Sequence, residues 1–189
     1  SISTVMDALS HSFESIWNKK ANHTSTDYAI SAICSILKNG PALKENPDDL
    51  DTRNNLLKAA TVAGLAFSNT TTAAAHSMSY PLTIHYGMPH GVASSISLIP
   101  LLEINGEFIK EPLNRICNNN ELTYDELKET IKAIPQGVIP YTLDEWGIPE
   151  NQLTKLAAES FTKGRMDNNV VDLTTNDVLG ILKELYSEQ

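Results

Sequence analysis

Asp7 and His11 stand four residues apart in TVMDALSHSFESIW, and His76 and His90 stand fourteen apart in AHSMSYPLTIHYGMPHG. Side chains four apart leave the same face of a helix, so a helix over the first string turns a carboxylate and an imidazole toward one point. That is a chelate geometry for a metal ion. Pro81, Gly87 and Pro89 are expected to break the helix carrying His76 and start another near His90. The two histidines would then face each other across a bend. One carboxylate and three imidazoles, from Asp7, His11, His76 and His90, make a donor set suited to a transition metal.

Taken singly, each of these residues has a plainer reading. Asp7 with His11 could be a solvated helix pair, and His76 a hydrogen-bonded core histidine. The conjunction argues for more. His76 follows AGLAFSNTTTAAA, the most apolar and small-residue-rich part of the chain, where a buried imidazole needs a partner to offset its desolvation. His90 lies between Pro89 and Gly91, where the backbone can approach another element closely. His23, in the polar run NKKANHTST, reads as solvent-exposed.

The elements that must position these groups are helical. Val5, Met6, Leu9, Phe13, Ile16 and Trp17 recur at three and four, which predicts an amphipathic opening helix. Ser25 or Thr26 caps a second, stopped by Asn39, Gly40 and Pro41. A third is expected from about Asp49 through Leu56, Val62, Gly64 and Phe67 as far as His76. After the bend come Val92 to Leu102 and amphipathic pieces near 106 to 118 and 123 to 134, the latter opened by a Thr123/Glu126 capping box. PQGVIPYTLDEWGIPEN is a connection, and short helices follow at about 150 to 160 and 175 to 186. Alternating strand patterns are nearly absent, so residues 1–189 read as a single all-α domain. No GxG, GxxxxGK or βαβ pattern offers a dinucleotide or phosphate cradle.

With 189 residues, a net charge of −9 and a pI near 4.9, the chain suits one core and repels nucleic acid and acidic membrane surfaces. Small molecules or proteins are the expected partners. Cys34 and Cys117 lack CxxC spacing and read as buried thiols of a reducing compartment. With no apolar run near eighteen residues, the expected location is cytoplasmic.

MDALSHSFE, then His76 and Tyr80 ahead of Pro89-His90-Gly91, then GVASSISLIPLL, resemble the metal-binding half of the iron-containing (group III) alcohol dehydrogenases. The tail RMDNNVVDLTTNDVLGILKELY is similar to that family's closing helix, so the resemblance covers nearly the whole chain. It implies that Asp7, His11, His76 and His90 bind the catalytic ion, Fe2+ by resemblance or Zn2+ by raw affinity. Related zinc enzymes, the glycerol dehydrogenases and dehydroquinate synthases, lack the histidine that His11 supplies.

The family has an N-terminal α/β domain holding the nicotinamide and a C-terminal helical domain, and this chain resembles the second alone. The resemblance therefore implies half of a two-domain NAD(P)-dependent alcohol dehydrogenase or aldehyde reductase. NAD(H) or NADP(H) would be held mainly by the missing α/β half, and this half would be inactive by itself. Tyr80 stands where the family commonly has a second, substrate-side histidine, and His85 in the same bend could supply that imidazole, although a surface position suits it better. SYPLTIHYGMPHG is more similar to the phosphonoacetaldehyde reductase branch than to the propanediol or butanol branch. The competing expectation is a non-catalytic helical metal-binding or protein-interaction module that docks another protein, or a second copy in a homo-oligomer, on the old cleft face. An all-α metallohydrolase ranks third, because no spare carboxylate lies near the histidine-rich bend.

Overall fold

The amphipathic spacing at the chain start forms α1 (Ile2–Ile16), opened by a capping box in which the Ser1 hydroxyl accepts from the Thr4 backbone N–H. Two stripes run along this helix. Met6, Leu9 and Phe13, with Trp17 just beyond the helix, are fully buried. Asp7, His11 and Glu14 form the second stripe, at i, i+4 and i+7. The computed structural model describes residues 1–186, and among these no strand occurs, only an isolated bridge between Asn18 and Asn169.

Helix α2 (His23–Glu45) and helix α3 (Leu50–Thr70) pack against α1 and against each other. Ala59, Ala63 and Ala66 are buried on α3, and their small side chains permit close helix approach. Then follow α4 (Ala74–Tyr86), the single turn α5 (His90–Ala93), α6 (Leu98–Asn105), α7 (Lys110–Asn120), α8 (Tyr124–Ala133), α9 (Leu153–Glu159) and α10 (Thr175–Glu184). The Thr123/Glu126 box opens α8 as expected, and Thr174 with Asp177 makes another at α10. Residues between α8 and α9 form the expected connection, broken only by short 3-10 turns. His23 is exposed at the start of α2. No single described helix is long and apolar enough to cross a membrane.

Five local expectations need correction. Asn22, rather than Ser25 or Thr26, caps α2, its side chain accepting from the Ser25 N–H. The helix then runs through Gly40 and Pro41 to Glu45, because Ile134 packs onto Gly40 so closely that a Cβ there would lie 3.1 Å from its Cδ1. That packing offsets the amide donor lost at Pro41. Helix α3 ends at Thr70 instead of reaching His76: Thr71 turns to φ +65°, and Asn168 Nδ2 donates to Thr71 Oγ1 and to the Thr72 carbonyl, holding the exit open. Helix α4 in turn passes through Pro81, whose ring is buried with Leu82, and stops only at Gly87 in the left-handed region. Cys34 and Cys117 are half-buried rather than buried, with Asn120 Nδ2 donating to Cys34 Sγ at 3.2 Å.

Candidate metal centre

His76 sits in the first turn of α4, and His90 opens α5 after Pro89. Gly91 brings that turn onto the start of α1, its Cα so near the Ser3 carbonyl that no side chain would fit. The three elements meet at Asp7. One carboxylate oxygen of Asp7 lies 3.6 Å from His76 Nε2 and 3.7 Å from His90 Nε2, and the other lies 3.7 Å from His11 Nε2. Two nitrogens bound at about 2.1 Å to one ion at a tetrahedral angle are about 3.4 Å apart, so these gaps are of coordinating size. Asp7, His76 and His90 offer donor atoms within 4.8 Å of one another. His11 reaches the same carboxylate from its other side, its ring stacked between Phe67 and His76 at centroid distances of 4.3 and 4.2 Å.

Two buried ring nitrogens here, His76 Nε2 and His11 Nδ1, have no hydrogen-bond partner. Orphaned buried polar atoms are costly, and at His76 the orphan is the atom that faces Asp7 and His90. The donor set of three imidazoles and one carboxylate fits a divalent transition ion. His90, 46% exposed, stands at the open side, and His76, 2% exposed, at the floor. Ser94 Oγ donates to Asp7 Oδ1 at 2.9 Å and orients the carboxylate.

Sequence reading missed Glu14. It is fully buried and grips His76 twice, Oε2 lying 2.6 Å from His76 Nδ1 and Oε1 accepting the His76 backbone N–H at 3.0 Å. A carboxylate holding Nδ1 fixes the ring's orientation and directs Nε2 into the centre. The available signal was its i+7 spacing from Asp7 on a stripe otherwise committed to the site.

Residues 1–186 match the C-terminal part of the Fe-containing alcohol dehydrogenase family. The chain belongs to this family. A 1,3-propanediol dehydrogenase of Citrobacter freundii is 38% identical over 198 residues, covering 97% of this chain and 50% of that protein. Alcohol dehydrogenase 4 of Saccharomyces cerevisiae is 27% identical over 189 residues, again covering 97% and 50%. The structure of sulfoacetaldehyde reductase from Bifidobacterium kashiwanohense in complex with NAD+ has a TM-score of 0.87 at 26% identity, covering 100% of this chain and 50% of that one. That of a 1,3-propanediol oxidoreductase has a TM-score of 0.86 at 26% identity, covering 97% and 51%. The chain spans about half the length of the curated relatives it matches.

The all-α fold is thus that of the C-terminal domain in iron-containing alcohol dehydrogenases. Within it, Tyr80 lies one turn beyond His76 on the same side of α4. His85, nine residues on, is rotated about 180° from His76 in an α-helix, and its Nε2 meets Glu159 Oε2 at 2.7 Å on the surface. The fold does not bring His85 to the other candidates.

Electrostatics of the family's helical domain tie this centre to pH. Burial opposes a charge on His76, but Glu14 and Asp7 outweigh it and raise the imidazole to about 9. Burial and the nearby His76 push His11 down to about 4. Burial raises Asp7, yet the nearby His76, the field of His11 and the Ser94 hydroxyl bring it to about 2. A histidine raised from 6.5 to about 9 stabilises the fold fully below 6.5 and loses that contribution as pH rises to 9. A histidine lowered to about 4 costs stability as pH falls from 6.5 toward 4. The metal-free protein is therefore expected to be most stable near pH 6.5 and to lose about 2–3 kcal/mol by pH 9. Thermal unfolding across that range measures it; Glu14→Gln should flatten the alkaline limb, and an unchanged limb would remove Glu14 as its cause.

Proposed function

We propose that this chain is the metal-binding catalytic domain of an NAD(P)-dependent alcohol dehydrogenase or aldehyde reductase. The observation that supports this most is the convergence of three imidazole Nε2 atoms on the Asp7 carboxylate. In this reading Asp7, His11, His76 and His90 hold Fe2+ or Zn2+. When bound, the ion supplies Lewis acidity to the oxygen of an alcohol or aldehyde. Glu14 holds His76 at Nδ1, so that the binding nitrogen is presented without a search through ring rotamers. Asp7, the one acidic member of the set, offsets the ion's charge and is kept in place by Ser94.

Tyr80 takes the substrate-side position. Its phenol can donate a hydrogen bond to a substrate oxygen and orient it, which a side chain one turn from His76 is placed to do. His85, committed to Glu159, is left outside the chemistry. NAD(H) or NADP(H) is assigned to the α/β half that the family resemblance implies, and relatives about twice this length support that assignment.

The test uses the full-length protein carrying this domain. With added Fe2+ or Zn2+, it is expected to oxidise NADH or NADPH only when an aldehyde is present, to stop on chelation and to recover when the ion is returned. A metal-replete protein that oxidises neither nucleotide with any aldehyde, and reduces neither with any alcohol, would reject the reading.

A further inference from the structure

Arg165 is a half-buried cation in a chain of net charge −9, with 23 acidic residues, yet none of the described ones pairs with it. Among the described residues, no carboxylate oxygen lies within 4.0 Å of its guanidinium, whereas Arg115 takes both Asp27 and Glu111. It is held by neutral groups instead. Nη1 donates to Thr72 Oγ1 at 3.1 Å, and the guanidinium carbon lies 4.9 Å over the Tyr80 ring. A guanidinium has five N–H donors, and among the described residues one of them is used.

Its location gives the spare donors a direction. Thr72 precedes His76 by four residues and Tyr80 follows it by four, so Arg165 bridges across the level of His76 itself. That sets the guanidinium beside the turn of α4 that carries His76 and Tyr80. The placement is built rather than incidental. Gly164, at φ +78°, turns the chain into Arg165, and Asn168 Nδ2 donates to the carbonyls of Gly164 and Thr72, tying this turn to the start of α4.

Resting on the oxidoreductase reading above, we infer that Arg165 is a specificity residue and that the substrate is a small aldehyde or alcohol carrying an anionic group. The carbonyl or hydroxyl would lie toward His76 and His90. A carboxylate, sulfonate or phosphonate one or two carbons away would reach the free edge of the guanidinium, which matches planar and tetrahedral oxyanions with paired N–H donors. Tyr80 serves as the platform against which the guanidinium lies.

The experiment compares sulfoacetaldehyde, succinic semialdehyde and neutral propanal as substrates of the full-length, metal-loaded enzyme. The native protein is expected to favour the two anions. Arg165→Gln should lower the ratio of anionic to neutral kcat/KM roughly 10- to 100-fold, chiefly through KM for the anion. Arg165→Lys, which keeps the charge and loses the fork, should fall between. Binding of ethanesulfonate, which has no carbonyl, reads the same contact without turnover and should weaken in parallel.

The inference is overturned by a native enzyme with no anionic preference, by a ratio unmoved by Arg165→Gln, or by a rise in nucleotide KM at an unchanged ratio. The last would give the guanidinium to a cofactor phosphate. Equal loss of all substrates in both variants, with metal content intact, would make Arg165 a structural brace and also overturn it. Absence of any turnover together with Arg165-dependent ethanesulfonate binding would reject the oxidoreductase reading and keep the anion site.

Discussion

Asp7→Asn is expected to lower affinity for Zn2+ or Fe2+ by more than 100-fold while leaving helicity intact. The amide removes the only negative charge among the four proposed ligands and turns one oxygen into an N–H donor aimed at imidazoles. The Nε2 atoms of His76, His90 and His11 all lie within 3.6–3.7 Å of this carboxylate, so its loss touches every ligand. Loss of an outer hydrogen-bond partner of a ligand already costs about 10- to 100-fold, and loss of the central ligand should exceed that. Competition against a chelator of known affinity gives the number, with circular dichroism as the control for folding. Retention of native affinity would show that the three imidazoles hold an ion without Asp7, or that the ion lies elsewhere.

Gly91→Ala should be the most damaging single methyl in the domain. An alanine Cβ at this position would stand 2.1 Å from the Ser3 carbonyl oxygen and 2.8 Å from the Ser3 carbonyl carbon. Both are backbone atoms, so relief requires moving α1 against α5. That displacement separates His90, the neighbouring residue, from Asp7, four positions along α1 from Ser3. Overpacking of this severity costs about 3 kcal/mol or more, which for a chain of this size lowers Tm by roughly 6–12 °C. Gly64→Ala is the matched control, since nothing lies within 4 Å of a Cβ there and the residue is inside α3. It should be neutral or slightly stabilising. Equal Tm values for the two variants would show that the approach of Gly91 to Ser3 is slack.

The helical class and most of the site were legible because their signals are local. The spacing of Val5, Met6, Leu9 and Phe13 fixes a buried stripe, and the same periodicity places Asp7 and His11 together on a neighbouring one. His76 and His90 were legible as a pair, and of the three residues expected to break the chain between them, Gly87 and Pro89 do so and Pro81 does not. Pro81 loses one backbone bond, and burial beside Leu82 offsets it, so the turn falls at Gly87. The exit from α3 was illegible for a different reason. It is held by Asn168, nearly a hundred residues downstream, and no window of sequence shows such a bond.

Glu14 shows the limit most clearly. A glutamate within an amphipathic helix usually faces water, and only the tertiary position of His76 makes this one a buried partner. Arg165 is the converse: its residue type gave no warning, and its lack of an acidic partner among the described residues emerges only when the last third of the chain is folded against α4. His85 was attractive by proximity in sequence, yet helical geometry sends it to the opposite face.

The account stands or falls on one ion shared by Asp7, His11, His76 and His90. Anomalous diffraction at the zinc or iron edge, from crystals of the protein grown with that ion, locates it directly. The predicted result is a single peak about 2.0–2.3 Å from an Asp7 carboxylate oxygen and from the Nε2 atoms of the three histidines. A peak that leaves any two of these side chains out of bonding reach, or no peak at this place in metal-saturated protein, would contradict it.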